Sequence, residues 1–203
     1  PGFVAGFVMK TEKLPAAFKK ALRSDLKNEW TPLSLFIIIP TMHKGEWVAH
    51  NLSSINSFVP AEDRLYGLGF LSKAFGLWYA NVETCCGVTQ WGGPALKLHS
   101  HFGHLEILTA YTPVHTHAKS VTYRARVNTE VWEMFFTREE DYAFLEKYEP
   151  SGLLIDPKNE QSMIEVQTRI QNGEGPFFLS AADISSKQLT DPLLVYRAKG
   201  THG

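Results

Sequence analysis

Two short apolar runs, Phe3 to Met9 and Leu33 to Ile39, bracket a stretch in which Leu14, Phe18, Leu22 and Leu26 recur every four residues. That spacing lays one apolar stripe along a helix. The flanking runs have the length and β-branched content of buried strands. A chain that passes from strand to amphipathic helix to strand so early is neither a helix bundle nor a pure β-sandwich, so an α+β fold is expected. Thr11 is placed to cap the helix, Pro15 falls in its first turn, where a missing N–H costs little, and Asn28 to Pro32 ends it.

Further along, Glu46 to Val59 reads as a strand closed by Pro60. Gly67 to Val82, with Phe70, Phe75, Trp78 and Tyr79, fits either a glycine-broken helix or a pair of strands, and the strands are slightly favoured. Ala95 to Phe102, His104 to Tyr111 and Ala118 to Val127 are separated by Gly103 and by Thr112-Pro113, the punctuation of an antiparallel meander. Thr137 and Glu140 form a capping box that opens a helix through Tyr148, stopped by Pro150 and Gly152. A second helix is expected over Gln161 to Ile170, with closing strands at Phe177 to Leu179 and Leu193 to Arg197. No repeat or linker divides the 203 residues, so a single domain, 1–203, is expected. Its architecture would be a curved antiparallel sheet or β-barrel with a few peripheral helices. The 13 Phe, 7 Tyr and 5 Trp would line a pocket.

Charge narrows the partners. Lys and Arg total 20 against 21 Asp and Glu, which leaves no net field to draw in nucleic acid or an anionic membrane. The two cysteines, Cys85 and Cys86, are adjacent and cannot staple a fold. They read as core thiols of a protein in a reducing compartment, and a cytoplasmic address is expected. The apolar runs Leu35 to Pro40 and Leu65 to Ala80 fall short of the ~20 uninterrupted residues of a spanning helix. Pro1 to Met9 lacks the basic start of a secretory signal.

Five of the eight histidines, His99, His101, His104, His115 and His117, fall within nineteen positions, with Glu106 among them. An H-x-H pair on a strand points both rings one way, so His99, His101 and Glu106 are candidate ligands for one divalent transition metal. Alternation offers a plainer reading: Leu96, Leu98 and Phe102 take the buried face and Lys97, His99 and His101 a solvated one. His115 and His117 share parity with Val121, Tyr123, Ala125 and Val127 and would point inward as acid–base groups. Arg124 or Arg126 could then hold a substrate carboxylate through a bidentate guanidinium. Those four residues are the catalytic candidates. Gly67-Leu68-Gly69 and Gly92-Gly93 read as turns or bulges.

Two family resemblances follow from these residues. Gly93 to Glu106 resembles the first motif of the cupin family, a glycine followed after five residues by H-x-H and after four more by glutamate. Pro113 stands where that family needs a further glycine, and no histidine before His202 supplies its last ligand. The order of strand, helix from Thr11, strand Leu33 to Ile39 and run Tyr79 to Leu98 resembles the acetoacetate decarboxylase-like superfamily. That resemblance implies a double-sheet β-barrel around a pocket and a Schiff-base lysine after a proline. Here Pro94 matches, Ala95 and Leu96 occupy the two lysine positions, Val88 and Thr89 replace Arg-Glu, and Lys97 lies one place further on.

Three functions are therefore weighed. The first is a small-molecule-binding β-barrel domain that, as an enzyme, would be a decarboxylase-like lyase without cofactor, acting on a small keto-acid-like or apolar substrate. The second is a cupin-like enzyme using one divalent metal. The third is a noncatalytic interaction domain, homo-oligomeric through Trp132, Phe135 and Phe136.

Overall fold

The computed structural model describes residues 2–22, 28–114, 116–127 and 138–200. Leu26, His115, Trp132, Phe135, Phe136, the Thr137 cap and His202 lie outside the described residues. The chain divides into two compact units, 1–82 and 83–203.

The first unit contains β1 (Phe3–Lys10), α1 (Ala16–Leu22), β2 (Trp30–Pro40), β3 (Glu46–Ser54) and α2 (Leu68–Tyr79). Its strands run β1-β2-β3, all antiparallel. Thr11 does not cap α1. Its hydroxyl instead donates to the Asn28 carbonyl at 2.6 Å and lies 2.9 Å from the Thr31 hydroxyl, tying the start of the connection to its end. Phe18, buried on α1, packs with Leu14, Leu33, Ile55, Val59 and Leu68.

The Gly67–Val82 stretch, read with a preference for strands, is helical. What decides it is packing: Ser72 pairs with Ser34 of β2 at 2.6 Å, and Gly76 lies against Phe36 and Ala5. Small residues at 72 and 76, one helical turn apart, let the helix lie close on the sheet.

The second unit contains β4 (Thr84–Gln90), α3 (Pro94–Ser100), β5 (Leu105–Thr109), β6 (Ser120–Arg126), α4 (Arg138–Lys147), β7 (Tyr148–Ile155), α5 (Glu160–Gln171), β8 (Phe177–Leu179), α6 (Ala181–Ser186) and β9 (Leu193–Ala198). Its strands follow the order β4-β6-β5-β8-β9-β7, with antiparallel pairings. The fold is α+β. The sheet is not closed into a barrel, so that part of the expectation is corrected.

Leu105, Ile107, Val121, Tyr123, Ala125, Phe177, Leu179 and Val195 fill one face, against Leu96 of α3, Met163 and Val166 of α5 and Ile184 of α6. Each Val, Leu, Ile, Phe or Met among them, fully buried, contributes roughly 1.5–3 kcal/mol of transfer free energy. Asn159 caps α5 by accepting from the Gln161 amide at 3.1 Å, and Met163, Val166 and Ile170 recur on its inner face.

Two expectations change here. Ala95–Phe102 is not the first strand of a meander but helix α3, which Pro94 opens at its first turn. Pro150 and Gly152, taken as a stop, lie inside β7. That strand ends the order, where a proline without an N–H is tolerated, and a register shift falls between Pro150 and Leu154. Among the described residues, no helix is long and apolar enough to cross a membrane.

Candidate functional site

In the first unit the strand β3 gives way to a loop built of two 3-10 turns, Ile55–Phe58 and Ala61–Asp63. The Asn56 side chain fixes the far end of that loop twice: its amide donates to the Leu65 carbonyl at 2.6 Å and its oxygen accepts from the Leu65 N–H at 2.9 Å. Two residues on, Gly67 adopts φ 78° and ψ −5°, the left-handed conformation a side chain disfavours, and stands at the head of the twelve-residue α2. No side chain caps that helix and its first turn carries no acidic residue.

A helix start concentrates N–H groups and the positive end of the macrodipole. Arg64 is exposed just before it, its Nε donating to the Val59 carbonyl at 3.4 Å. Arg64-x-x-Gly67-x-Gly69 thus combines one guanidinium, two glycines and an uncapped helix start, an arrangement chemically suited to phosphate oxygens. The Gly67-Leu68-Gly69 stretch reads from sequence as a turn. The signal that could have marked it is the arginine three positions ahead.

The second unit places the histidine-rich stretch differently from expectation. His99 and His101 lie on and just after α3, where a two-residue step turns about 200° around the axis. His99 is buried with its ring 5.1 Å from that of Tyr123, while His101 is exposed. Partial desolvation nonetheless lowers the His101 imidazole from its ordinary value.

His104 accepts from the Ala181 N–H through Nδ1 at 3.1 Å and stacks on Phe144 with ring centroids 3.9 Å apart. Glu106 is engaged by Arg124 in a fork, Nε to Oε2 at 2.9 Å and Nη2 to Oε1 at 2.7 Å. Among the described residues, no three His, Cys, Asp or Glu side chains are grouped to hold a metal ion. His99, His101 and Glu106 do not come together, because the segment is a helix and not a strand.

Of the acid–base candidates, His117 is exposed in the turn before β6, since the strand starts only at Ser120 and the parity with Val121 breaks in that turn. Arg124 is half-buried and engaged with Glu106, and Arg126 is exposed at the end of β6. Tyr123, absent from the candidates, is fully buried. Burial, then the neighbouring Cys85 and Cys86, pushes its phenol well above the usual value. Its hydroxyl is so close to Gly87 that an added Cβ would stand 2.7 Å from it.

No protein-family model matches the sequence, and neither does any curated protein. Among solved structures, one described as an acyl-CoA N-acyltransferase from Klebsiella pneumoniae subsp. pneumoniae is similar at TM-score 0.36 and 16% identity, over 51% of this chain and 68% of that one. The ribosomal-protein-S18-alanine N-acetyltransferase from Escherichia coli is similar at TM-score 0.35 and 16% identity, over 63% of this chain and 95% of that one. Likenesses of this size say nothing about the reaction.

The acetoacetate decarboxylase-like resemblance is withdrawn on the fold itself. The open sheet removes the barrel it implied, and Ala95, Leu96 and Lys97 sit on a helix. The decarboxylase-like lyase is withdrawn with it, and so is the cupin-like enzyme, because no three ligand side chains are grouped among the described residues; Trp132, Phe135 and Phe136, on which the noncatalytic interaction domain rested, lie outside the described residues, and that reading is not carried further.

Proposed function

We propose that the chain is an acyltransferase that binds a coenzyme A thioester, with the diphosphate held at the start of α2. The observation that supports this reading is Arg64-x-x-Gly67-x-Gly69 at an uncapped helix start with no carboxylate in its first turn. The other common diphosphate ligands fit less well. Gly69 is followed by Phe70 and Leu71, not by the Lys-Ser/Thr that grips a nucleoside triphosphate and its magnesium. Ser72 stands where a dinucleotide fingerprint has its third glycine.

A coenzyme A thioester asks the helix start only for N–H donors and a cation. In the transfer, an acceptor nitrogen attacks the thioester carbonyl, the C–N bond forms as the C–S bond breaks, and the thiol leaves with the electron pair. The proton lost by the nitrogen passes to solvent or to the leaving sulfur.

Calorimetric titration with coenzyme A and with pantetheine, which lacks the diphosphate, tests the reading. Arg64→Ala removes a charge-assisted contact worth about 1.5–3 kcal/mol, so coenzyme A binding should weaken roughly ten- to hundredfold. Pantetheine binding should not change. No coenzyme A binding to the parent chain, or an equal loss for both ligands, would refute it.

A further inference from the structure

The turn that carries Arg64 and Gly67 ties down every residue but one. Arg64 donates to the Val59 carbonyl, and Leu65 is bonded by Asn56 at both its N–H and its carbonyl. Leu65 also packs against the core of Leu14, Phe18 and Ile55, in which Leu68 is buried, and the Gly67 carbonyl accepts from the Leu71 N–H at 2.8 Å. Tyr66, in the middle, is 92% exposed.

A single exposed aromatic is ordinary on a protein surface, so exposure alone decides nothing. Position decides more. Phe58 is also exposed on this loop, but it precedes the turn that carries Arg64, whereas Tyr66 stands between Arg64 and Gly67 themselves. With the backbone fixed on both sides of it, Tyr66 has only two side-chain torsions left to order on binding. That low entropic cost, joined to a large rigid face, is what suits tyrosine to contact a ligand.

We infer that Tyr66 is the stacking platform for the adenine of coenzyme A, and so a specificity-determining residue of the diphosphate site; the inference rests on the acyltransferase reading above. In coenzyme A the adenosine is joined through its ribose directly to the diphosphate. A diphosphate held by the residues on either side of Tyr66 therefore has its base one sugar away. Stacking asks for a π-face and no particular hydrogen bonds, which matches a turn whose other polar side chain, Arg64, is assigned to the phosphate oxygens. The consequence is a class of donor. The acyl group arrives on free coenzyme A and not on the phosphopantetheine arm of a carrier protein, which has no adenine to stack.

Calorimetric titration of the parent chain, Tyr66→Ala, Tyr66→Phe and Arg64→Ala with coenzyme A and with phosphopantetheine tests this. The side chain is exposed, so both Tyr66 variants should unfold at the parent's temperature. Tyr66→Ala should weaken coenzyme A binding roughly 5- to 150-fold and leave phosphopantetheine unchanged. Tyr66→Phe, which keeps the π-face, should hold coenzyme A within about threefold of the parent. Arg64→Ala should weaken both ligands, since both carry phosphate. A loss of coenzyme A affinity on Arg64→Ala with none on Tyr66→Ala overturns this inference alone. So does an equal loss of both ligands on Tyr66→Ala, or a loss that Tyr66→Phe does not restore. No coenzyme A binding to the parent chain overturns the acyltransferase reading and this inference together.

Discussion

Gly76→Ala sets two effects of opposite sign against each other. Inside a helix, alanine for glycine stabilises by about 0.5–1 kcal/mol through backbone entropy, and Gly76 lies in the second half of α2. Packing opposes this. An added Cβ would stand 2.7 Å from Cδ1 and 3.2 Å from Cε1 of Phe36, and 3.5 Å from Cβ of Ala5. Carbon atoms in good contact sit at roughly 3.5–4.0 Å, so the ring must retreat by nearly an ångström. Phe36 is fully buried on β2, and a close-packed interior leaves a ring little room to shift.

Overpacking of this kind costs about 1–3 kcal/mol, and set against the helix term it leaves a net loss of up to about 2.5 kcal/mol. Chemical denaturation followed by circular dichroism measures it. Repeating the substitution in a Phe36→Leu background should reverse its sign, because the ring that collides is gone and the helix term remains. If Gly76→Ala raised the unfolding midpoint in the parent chain, the close helix–sheet contact argued above would be wrong.

Two further outcomes are expected. Leu96→Ala should cost about 2–5 kcal/mol because that side chain is buried in the core of the second unit, whereas Leu98→Ala, at a half-buried position, should cost less; equal large losses in thermal unfolding would restore the strand reading of this segment. Glu160 is held below its usual carboxylate range first by the Tyr111 hydroxyl and then by Lys119, while the Tyr111 phenol is raised by the same carboxylate. The Glu160 contribution is present above its unfolded value and fades as pH falls through the lowered folded value; that of Tyr111 is present below its ordinary value and fades as pH rises through the raised one. Tyr111→Phe should move the Glu160 carboxyl back up in a carbon-13 NMR titration, and an unmoved titration would remove the hydroxyl as the cause.

The elements legible in the sequence are those whose pattern and punctuation agree. β8 matches its expected span, and α5 and β9 fall within a residue of theirs, because each has one hydrophobic period and clear flanking breakers. α2 was ambiguous because aromatics at 70, 75, 78 and 79 satisfy neither period alone. The deciding contacts, Ser72 to Ser34 and Gly76 to Phe36, are to residues some forty positions earlier, which a local window does not contain. α3 was misread for a different reason. Leucines at 96 and 98 imitate strand alternation, and the proline at its first turn is the evidence against that reading. α6 was missed although Ser180-x-x-Asp183 states its start, with the Ser180 hydroxyl accepting from the Asp183 amide at 3.3 Å.

The candidate sites divide along a related line. Five histidines within nineteen positions are dense along the chain, but a helix, a loop and an exposed turn carry the described ones to different places, so density in sequence does not become density in space. A constellation on regular elements assembles only if each face has been assigned correctly, and one helix mistaken for a strand undoes the whole set. Arg64, Gly67 and Gly69 carry no such dependence. They follow one another from the end of a loop fixed by Asn56 into the first turn of α2, brought together by chain connectivity alone. Their juxtaposition needs no long-range contact to be correct. It needs only that position 67 keep its left-handed backbone, where a side chain would cost on the order of 1 kcal/mol or more, and this makes glycine at 67 a requirement of the site's shape as well as of the turn.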